Sequence, residues 1–109
     1  MDITIRDLGR HKIMSVDGDV DLYNVGELKK AIFALLDDQE IRSLIIDMKN
    51  IHYMDSSGIG ALVAGQKKVK VKGGRFALLN IQEDVLNILR LATLDQFFTI
   101  YESESDIEK

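Results

Sequence analysis

A short apolar run near the middle of the chain constrains the fold more than any other sequence feature. The segment Ser43-Leu44-Ile45-Ile46-Asp47 is polar only at its two ends. An unbroken apolar run of this length is typical of a strand that is covered on both faces, which is the situation inside a parallel sheet. We therefore predict a central strand at this position.

Helix and strand patterns alternate along the rest of the chain. Ile3 and Ile5 alternate with polar residues, and Ile13 to Val16 follow a turn that contains Gly9, so the chain begins with a predicted β-hairpin. The later patterns predict a helix from Asn24 with a capping box to Glu27, a helix from Asp55 to Lys72, a strand at 75–79, a helix at 83–91 and a strand at 98–101. The order ββαβαβαβ indicates an α/β fold with a mostly parallel sheet, packed by helices, and an N-terminal antiparallel hairpin strand at one edge.

Length and composition fit one globular domain. The chain has 109 residues, of which 46% are hydrophobic and 29% are charged, and a single core serves chains of up to roughly 250 residues. We assign one domain to residues 1–109 and expect the short acidic tail at 102–109 to fray. The predicted core includes Ile45, Ile46, Leu62, Val63, Phe76, Leu78 and Leu89.

Charge and cysteine content exclude several classes of partner and chemistry. A formal net charge of −4 gives no general attraction to nucleic acid or to an anionic membrane surface. The absence of cysteine removes disulfides and thiolate chemistry and agrees with the reducing cytoplasm. The start, Met1 to Asp7, lacks the pattern of a secretion signal, and no apolar run approaches the ~20 residues that span a bilayer. We expect a cytoplasmic protein without a membrane segment.

Three ligand-binding templates, one for calcium and two for phosphate, fail at required positions. Asp17 to Asp21 resemble the start of a calcium loop, but Leu22 stands where that loop needs glycine and Leu28 where it needs the bidentate acid. The glycines between 58 and 65 do not complete either phosphate-loop template. We therefore expect no metal ion and no cofactor. Small residues in this region instead predict close approach of a helix to the sheet; they are Gly58, Gly60, Ala61, Ala64 and Gly65.

The remaining polar residues give no pattern for catalysis. Neither Ser56 nor Ser57 has the glycine two positions earlier that a nucleophile elbow requires. His11 and His52 have no supporting pattern, and we interpret both as ordinary surface or turn residues. The basic segment from Lys67 to Arg75 is best explained as a solvated helix end, although contact with phosphate or an acidic protein is the alternative. No enzymatic activity is expected.

The stretch Tyr53-Met54-Asp55-Ser56-Ser57-Gly58-Ile59-Gly60 resembles the signature of the anti-sigma factor antagonists of the STAS domain family. Gly18-Asp19-Val20-Asp21 precedes it, and Gly73-Gly74 and Leu91-Ala92-Thr93-Leu94 follow it, as in that family. The resemblance extends from about Ile3 to Tyr101. It implies a STAS-like domain, although members of the family usually end in a fuller helix than Ser103 to Lys109 can form.

The resemblance also implies a mechanism, known as partner switching. In the family, the unphosphorylated antagonist binds an anti-sigma factor that is also a serine kinase, and the sigma factor is released for transcription. The kinase then phosphorylates the serine directly after the motif's aspartate, here Ser56, and a PP2C-type phosphatase resets the switch. The implied partner-binding residues are Asp21, Tyr23, Asn24, Asp55, Ser57, Gly58, Ile59 and Gly60. The free protein is expected to be a monomer.

Two questions stay open at the level of sequence. Physical reasoning alone leaves Ser57 as a rival phosphoacceptor to Ser56, because both stand at the start of the same predicted helix. A phosphate there is expected to change binding more than folding, since a helix N-terminus tolerates an anion. The alternative function is a non-switching STAS scaffold subunit of a transport or stress-signalling complex.

Overall fold

The computed structural model describes residues 1–108 and has the predicted order of elements. These are β1 (Asp2–Leu8), β2 (His11–Asp17), α1 (Val25–Leu36), β3 (Ser43–Asn50), α2 (Ser56–Val71), β4 (Arg75–Leu79), α3 (Glu83–Leu91) and β5 (Thr99–Tyr101). One sheet contains the strands in the order β1-β2-β3-β4-β5, antiparallel between β1 and β2 and parallel between the others. The predicted fold class, a mostly parallel sheet with an antiparallel hairpin strand at one edge, is confirmed.

All three helices pack on the same face of the sheet, which we call the helical face. Their buried side chains form one core cluster with alternate strand residues such as Met14, Ile46 and Leu78. From β2 to β5, each helical connection leads to the adjacent strand, always in the same direction across the sheet. Because crossovers between parallel strands are right-handed in nearly all proteins, helices connecting such a series lie on one side. The opposite side of the sheet, the back face, has to be covered by something else.

The back face is covered by residues 103–108, which we call the back-face segment. It contains a single 3₁₀ turn, Glu104–Asp106, with a capping box between Ser103 and Asp106. Ile107 follows the turn and is only 5% exposed. It packs against strand residues of the back face, namely Ile13, Ile45, Ala77 and Leu79. The expectation of fraying was wrong for this segment, because Ile107 buries apolar surface that the helices leave open; Lys109 lies outside the described residues.

His11 fixes the same segment to the start of β2. The residue is 4% exposed, with Nε2 2.5 Å from the carbonyl oxygen of Glu108 and Nδ1 2.5 Å from Oγ of Ser43. A carbonyl oxygen only accepts, so Nε2 donates to Glu108, and in the neutral imidazole Nδ1 then accepts from the Ser43 hydroxyl. The interpretation of His11 as a surface or turn residue was wrong. His52 is exposed, as expected.

The predicted core agrees with the structure at all positions but one. Val63 is half-buried on α2, whereas the other predicted core residues are buried. These are Ile45, Ile46, Leu62, Phe76, Leu78 and Leu89. Within residues 1–108, no helix is both long enough and apolar enough to cross a bilayer.

Two glycines of α2 set the distance between this helix and its neighbours. A Cβ atom at Gly65 would lie 2.7 Å from Cε2 of Phe76, and one at Gly58 would lie 2.5 Å from Cγ of Met54. Gly60 is exposed, and a Cβ there would meet nothing within 4 Å. The predicted close approach to the sheet is therefore confirmed for Gly65, whereas Gly58 lies close to the loop residues Met54 and Val20. The prediction was wrong for Gly60, which has open space around it.

The two glycines Gly65 and Gly60 form a matched pair for a stability test. Gly65→Ala should lower the free energy of unfolding by about 1–3 kcal/mol, because the new methyl group overlaps the Phe76 ring. Gly60→Ala should raise it by up to about 1 kcal/mol, because alanine favours the helix and nothing obstructs it. Urea unfolding followed by circular dichroism measures both. Equal effects of the two substitutions would contradict the packing described here.

The back-face segment can be tested in the same way. Ile107→Ala should reduce the free energy of unfolding by about 2 kcal/mol, at the low end for a buried isoleucine because only a short segment holds it. Glu102→Ala is the control, since Glu102 is exposed just before the segment. If Ile107→Ala unfolds at the same urea concentration as the control, the segment does not contribute to the core.

Candidate functional site

Two loops meet at the carboxyl edge of the sheet, one after β2 and one after β3. Val20 in the first loop and Met54 in the second form an isolated parallel bridge, and both side chains are fully buried. The backbone N–H of Val20 donates to the carbonyl of Tyr53 at 3.0 Å, and that of Asp55 donates to the carbonyl of Val20 at 3.1 Å. This pairing places the turn at residues 21–24 beside the start of α2.

Asp55 is the residue that holds the two loops to the helix. As predicted, it is the N-cap of α2: Oδ1 accepts from the backbone N–H of Ser57 at 2.9 Å and of Gly58 at 3.3 Å. The same oxygen accepts from the Ser57 hydroxyl at 2.5 Å. The second oxygen, Oδ2, accepts from the backbone N–H of Leu22 at 3.0 Å. One carboxylate therefore caps the helix and fixes the neighbouring loop.

These hydrogen bonds favour the ionised form of Asp55. The Ser57 hydroxyl is the largest cause that holds the pKa of Asp55 below its ordinary value. Desolvation acts in the opposite direction, while the N–H groups of Gly58, Leu22 and Ser57 lower the pKa further. The residue next to Ser56 is thus a carboxylate at neutral pH.

The turn at residues 21–24 is held by its own side chains. Oδ1 of Asp21 accepts from the N–H of Tyr23 at 2.9 Å and of Asn24 at 3.1 Å. The Asn24 side chain accepts from the N–H of Asp21 at 2.9 Å and donates to the carbonyl of Asp19 at 2.8 Å. Asn24 is the N-cap residue of α1, but its side chain makes no cap hydrogen bond. The predicted capping box with Glu27 was wrong, because Asn24 closes the preceding turn instead.

Large apolar side chains are exposed around Ser56, which is itself exposed at the first position of α2. Tyr23 is 96% exposed, Leu22 71% and Tyr53 51%. Gly60 lies one helical turn after Ser56 and is exposed beside it. We call Leu22, Tyr23, Tyr53, Ser56 and Gly60 the Ser56 surface. Sequence reasoning missed Leu22 and Tyr53, although two large apolar residues in the polar turn Asp21-Leu22-Tyr23-Asn24 were a signal for the first.

The other predicted partner-binding residues support this surface from below or from its sides. Gly58 and Ile59 are buried beneath the loops and present no side chain to solvent. Asp21, Asn24, Asp55 and Ser57 are half-buried at its edge. Among residues 1–108, no three His, Asp or Glu side chains are grouped so that they could hold a metal ion.

Comparisons with a family model, with curated proteins and with solved structures all match this chain to STAS domain proteins or anti-sigma factor antagonists. The model of the STAS domain family matches residues 2–107. An anti-sigma-B factor antagonist of Bacillus subtilis (strain 168) is 29% identical over 87 residues, which cover 80% of this chain and 78% of that protein. The crystal structure of an anti-sigma factor antagonist from Mycobacterium paratuberculosis superposes with a TM-score of 0.86 at 25% identity, covering 96% of this chain and 88% of that one. SpoIIAA, a Bacillus cell fate determinant solved in its phosphorylated form, has the same fold, with a TM-score of 0.75 at 17% identity over 96% of this chain and 95% of that one.

The role of Asp55 predicts a pH dependence that Asp55→Asn should remove. Asparagine keeps one side-chain oxygen, which can still cap the helix. Its other group, N–H₂, only donates and cannot accept from the N–H of Leu22. The loop therefore loses its hydrogen bond to residue 55 while the helix stays capped. Because the pKa of Asp55 is lower in the folded state, its stabilising effect is present above the pKa of the unfolded chain. That effect is lost as the pH falls through the folded-state pKa.

Melting temperatures of wild type and Asp55→Asn, measured between neutral and acid pH, should therefore differ most at neutral pH and converge in acid. Amide hydrogen exchange at Leu22 should be faster in the variant, with Ser57 as the internal control. A melting difference that is the same at every pH would show that the charge of Asp55 does not tie the loop to the helix.

Proposed function

This chain belongs to the STAS domain family, and on that premise we propose that it is an anti-sigma factor antagonist that is switched off by phosphorylation of Ser56. Curated relatives along most of its length are named anti-sigma factor antagonists. The single observation that carries the proposal is the exposed serine that follows Asp55 at the start of α2, at the same end of the helix as the turn that carries the exposed Leu22 and Tyr23. The proposed protein acts by binding and is not an enzyme.

The Ser56 surface is suited to binding another protein. Exposed aromatic and aliphatic side chains supply most of the binding energy in protein interfaces, and tyrosine is prominent among them. Tyr23, Leu22 and Tyr53 provide three such exposed groups on the two loops that meet at the start of α2. The turn that carries Tyr23 and Leu22 is held in place by Asp21 and Asp55, so little ordering is needed on binding. The proposed partner is an anti-sigma factor serine kinase, bound by the unphosphorylated form.

The two serines at the start of α2 are not equivalent. The Ser57 hydroxyl donates to Asp55, and Ser57 is half-buried. A kinase acting on Ser57 would have to break that hydrogen bond, which is the largest cause of the lowered pKa of Asp55. Ser56 is exposed and reaches solvent at the first position of the helix. This difference supports Ser56 as the phosphoacceptor.

A phosphate on Ser56 would be poorly compensated within the protein. Phosphate at a helix N-terminus is normally stabilised by backbone amides that lack a partner. Here Asp55 already accepts from the amides of Ser57 and Gly58. The added charge of about −1.5 to −2 would remain in solvent beside a carboxylate, where water stabilises it and the fold is preserved. A partner covering the surface would have to desolvate both charges, which costs several kcal/mol.

The proposed cycle needs two enzymes, with ATP as the phosphoryl donor for the kinase and water for the phosphatase, and this chain itself holds no cofactor. The anti-sigma factor serine kinase adds the phosphate and thereby releases the antagonist, and a PP2C-type phosphatase removes it. We place the cycle in the cytoplasm, with no nucleic acid or membrane bound directly and with the free antagonist as a monomer. The sigma factor is then freed whenever the unphosphorylated form accumulates.

The proposal is tested first by capturing partners from native lysate with and without ATP and identifying them by mass spectrometry. With the recombinant kinase so obtained, ATP should label wild type and Ser57→Ala at Ser56, and should not label Ser56→Ala. Phosphorylated wild type should bind the kinase at least about tenfold more weakly, or about 1.4 kcal/mol, while its circular dichroism spectrum and melting temperature stay close to those of the unphosphorylated form.

Ser57→Ala is the matched control, since it removes a hydroxyl one residue away. If the kinase labels Ser57 in the Ser56→Ala variant at the wild-type rate, then Ser56 is not the specific phosphoacceptor and this part of the proposal is wrong. Undiminished binding of the kinase by phospho-Ser56 protein would contradict the switch itself and favour a STAS scaffold subunit that does not respond to phosphorylation.

A further inference from the structure

A cleft of about 430 Å³ lies at the amino edge of the sheet, at the other end of α2 from Ser56. The sixteen residues of α2 separate the two places by about 24 Å. Three connections form the walls: the β1–β2 turn, the α1–β3 connection and the α2–β4 connection. Arg10 lies in the first connection, Arg42 in the second, and Arg75 is the first residue of β4, directly after the third.

The arginines of this chain divide into two groups. Arg6 pairs with Glu104 and Arg90 pairs with Glu83. The other three, Arg10, Arg42 and Arg75, form no ion pair within residues 1–108, and all three line the same cleft. Guanidinium groups without an acidic partner are therefore concentrated at one place, although their parent segments are far apart in the sequence.

The backbone holds two of these arginines together. The N–H of Arg75 donates to the carbonyl of Arg42 at 2.7 Å, and Nη1 of Arg42 donates to the carbonyl of Lys72 at 3.2 Å. A side chain at Gly74 would overlap the Arg42 carbonyl oxygen, so glycine permits this approach. The positions of Arg42 and Arg75 are thus fixed by the sheet and by the α2–β4 connection.

The charge of the cleft is opposite to that of the whole protein. Three arginines and Glu40 line it, which gives +3 − 1 = +2, whereas the chain carries −4. The planar guanidinium group binds phosphate through two parallel hydrogen bonds. The volume lies within the range of about 300–1,000 Å³ that is usual for small-molecule sites. We propose that this cleft binds a small anion carrying two or more phosphate groups.

The test uses pyrophosphate as the probe and the full chain in about 0.15 M salt, so that weak surface attraction is screened. Backbone amide NMR shifts of Gly73 and Gly74, which line the cleft, should saturate with a Kd below about 1 mM. Citrate, a polyanion without phosphate, should bind at least about fivefold more weakly. The expected reason is that the guanidinium groups of neighbouring arginines can bind the two linked phosphate groups of pyrophosphate together.

Arginine variants separate a built site from general attraction. Arg10→Gln and Arg75→Gln should each weaken pyrophosphate binding about tenfold. Arg6→Gln and Arg90→Gln remove the same charge outside the cleft and should change the Kd by less than about twofold, as screened distant charges do. Arg10 is in an exposed turn, so its variant remains informative if Arg75→Gln lowers the melting temperature.

The proposal would be overturned by shifts that do not saturate, by equal weakening in the control arginine variants, or by citrate binding as tightly as pyrophosphate. The outcome is independent of the proposed phosphorylation switch, because no residue of the Ser56 surface lines the cleft. Shifts centred on Ser56 in place of Gly73 and Gly74 would likewise exclude the cleft as the site.

Discussion

Four parallel strands that follow one another in the same direction constrain almost everything else in this molecule. Since each right-handed crossover from β2 to β5 returns over the same side, the three helices cover one face and leave the other open. The back-face segment closes that second face with Ile107. The same topology brings the strand-to-helix loops to one edge and the helix-to-strand connections to the other, so the Ser56 surface and the arginine cleft lie at opposite ends.

At the carboxyl edge, a single carboxylate connects folding and function. Asp55 caps α2 and holds Leu22 through the other oxygen, and the Ser57 hydroxyl lowers the pKa of the Asp55 carboxyl further. Ser56 is exposed at the surface, whereas the hydroxyl of the half-buried Ser57 donates to Asp55. A helix N-terminus that would otherwise accept a phosphate is already occupied by an anion. The same interactions therefore order the loop and raise the free-energy cost of desolvating a phosphate on Ser56 when a partner binds.

Much of the fold and part of the site could be predicted from the sequence. Periodicity predicted every main element, and the position of Asp55 before Ser56 predicted the N-cap, because both depend on neighbouring residues only. The capping box at Asn24 was wrong, since its side chain is used by the preceding turn. The burial of His11 was missed because its two partners, Ser43 and Glu108, are distant in the sequence. Gly60 was grouped with Gly65 because spacing alone does not tell which side of α2 meets the sheet.

The sequence by itself determined the α/β class, the order of strands and helices, and a serine at the start of α2 after an aspartate. These are local properties, since a few consecutive residues fix a strand, a helix or a cap. Tertiary structure decided which groups from separate segments meet: Leu22 with Asp55, Ile107 with the back face, and the arginines that converge on one cleft. Such meetings depend on the direction in which each crossover returns to the sheet, and no short stretch of sequence carries that information.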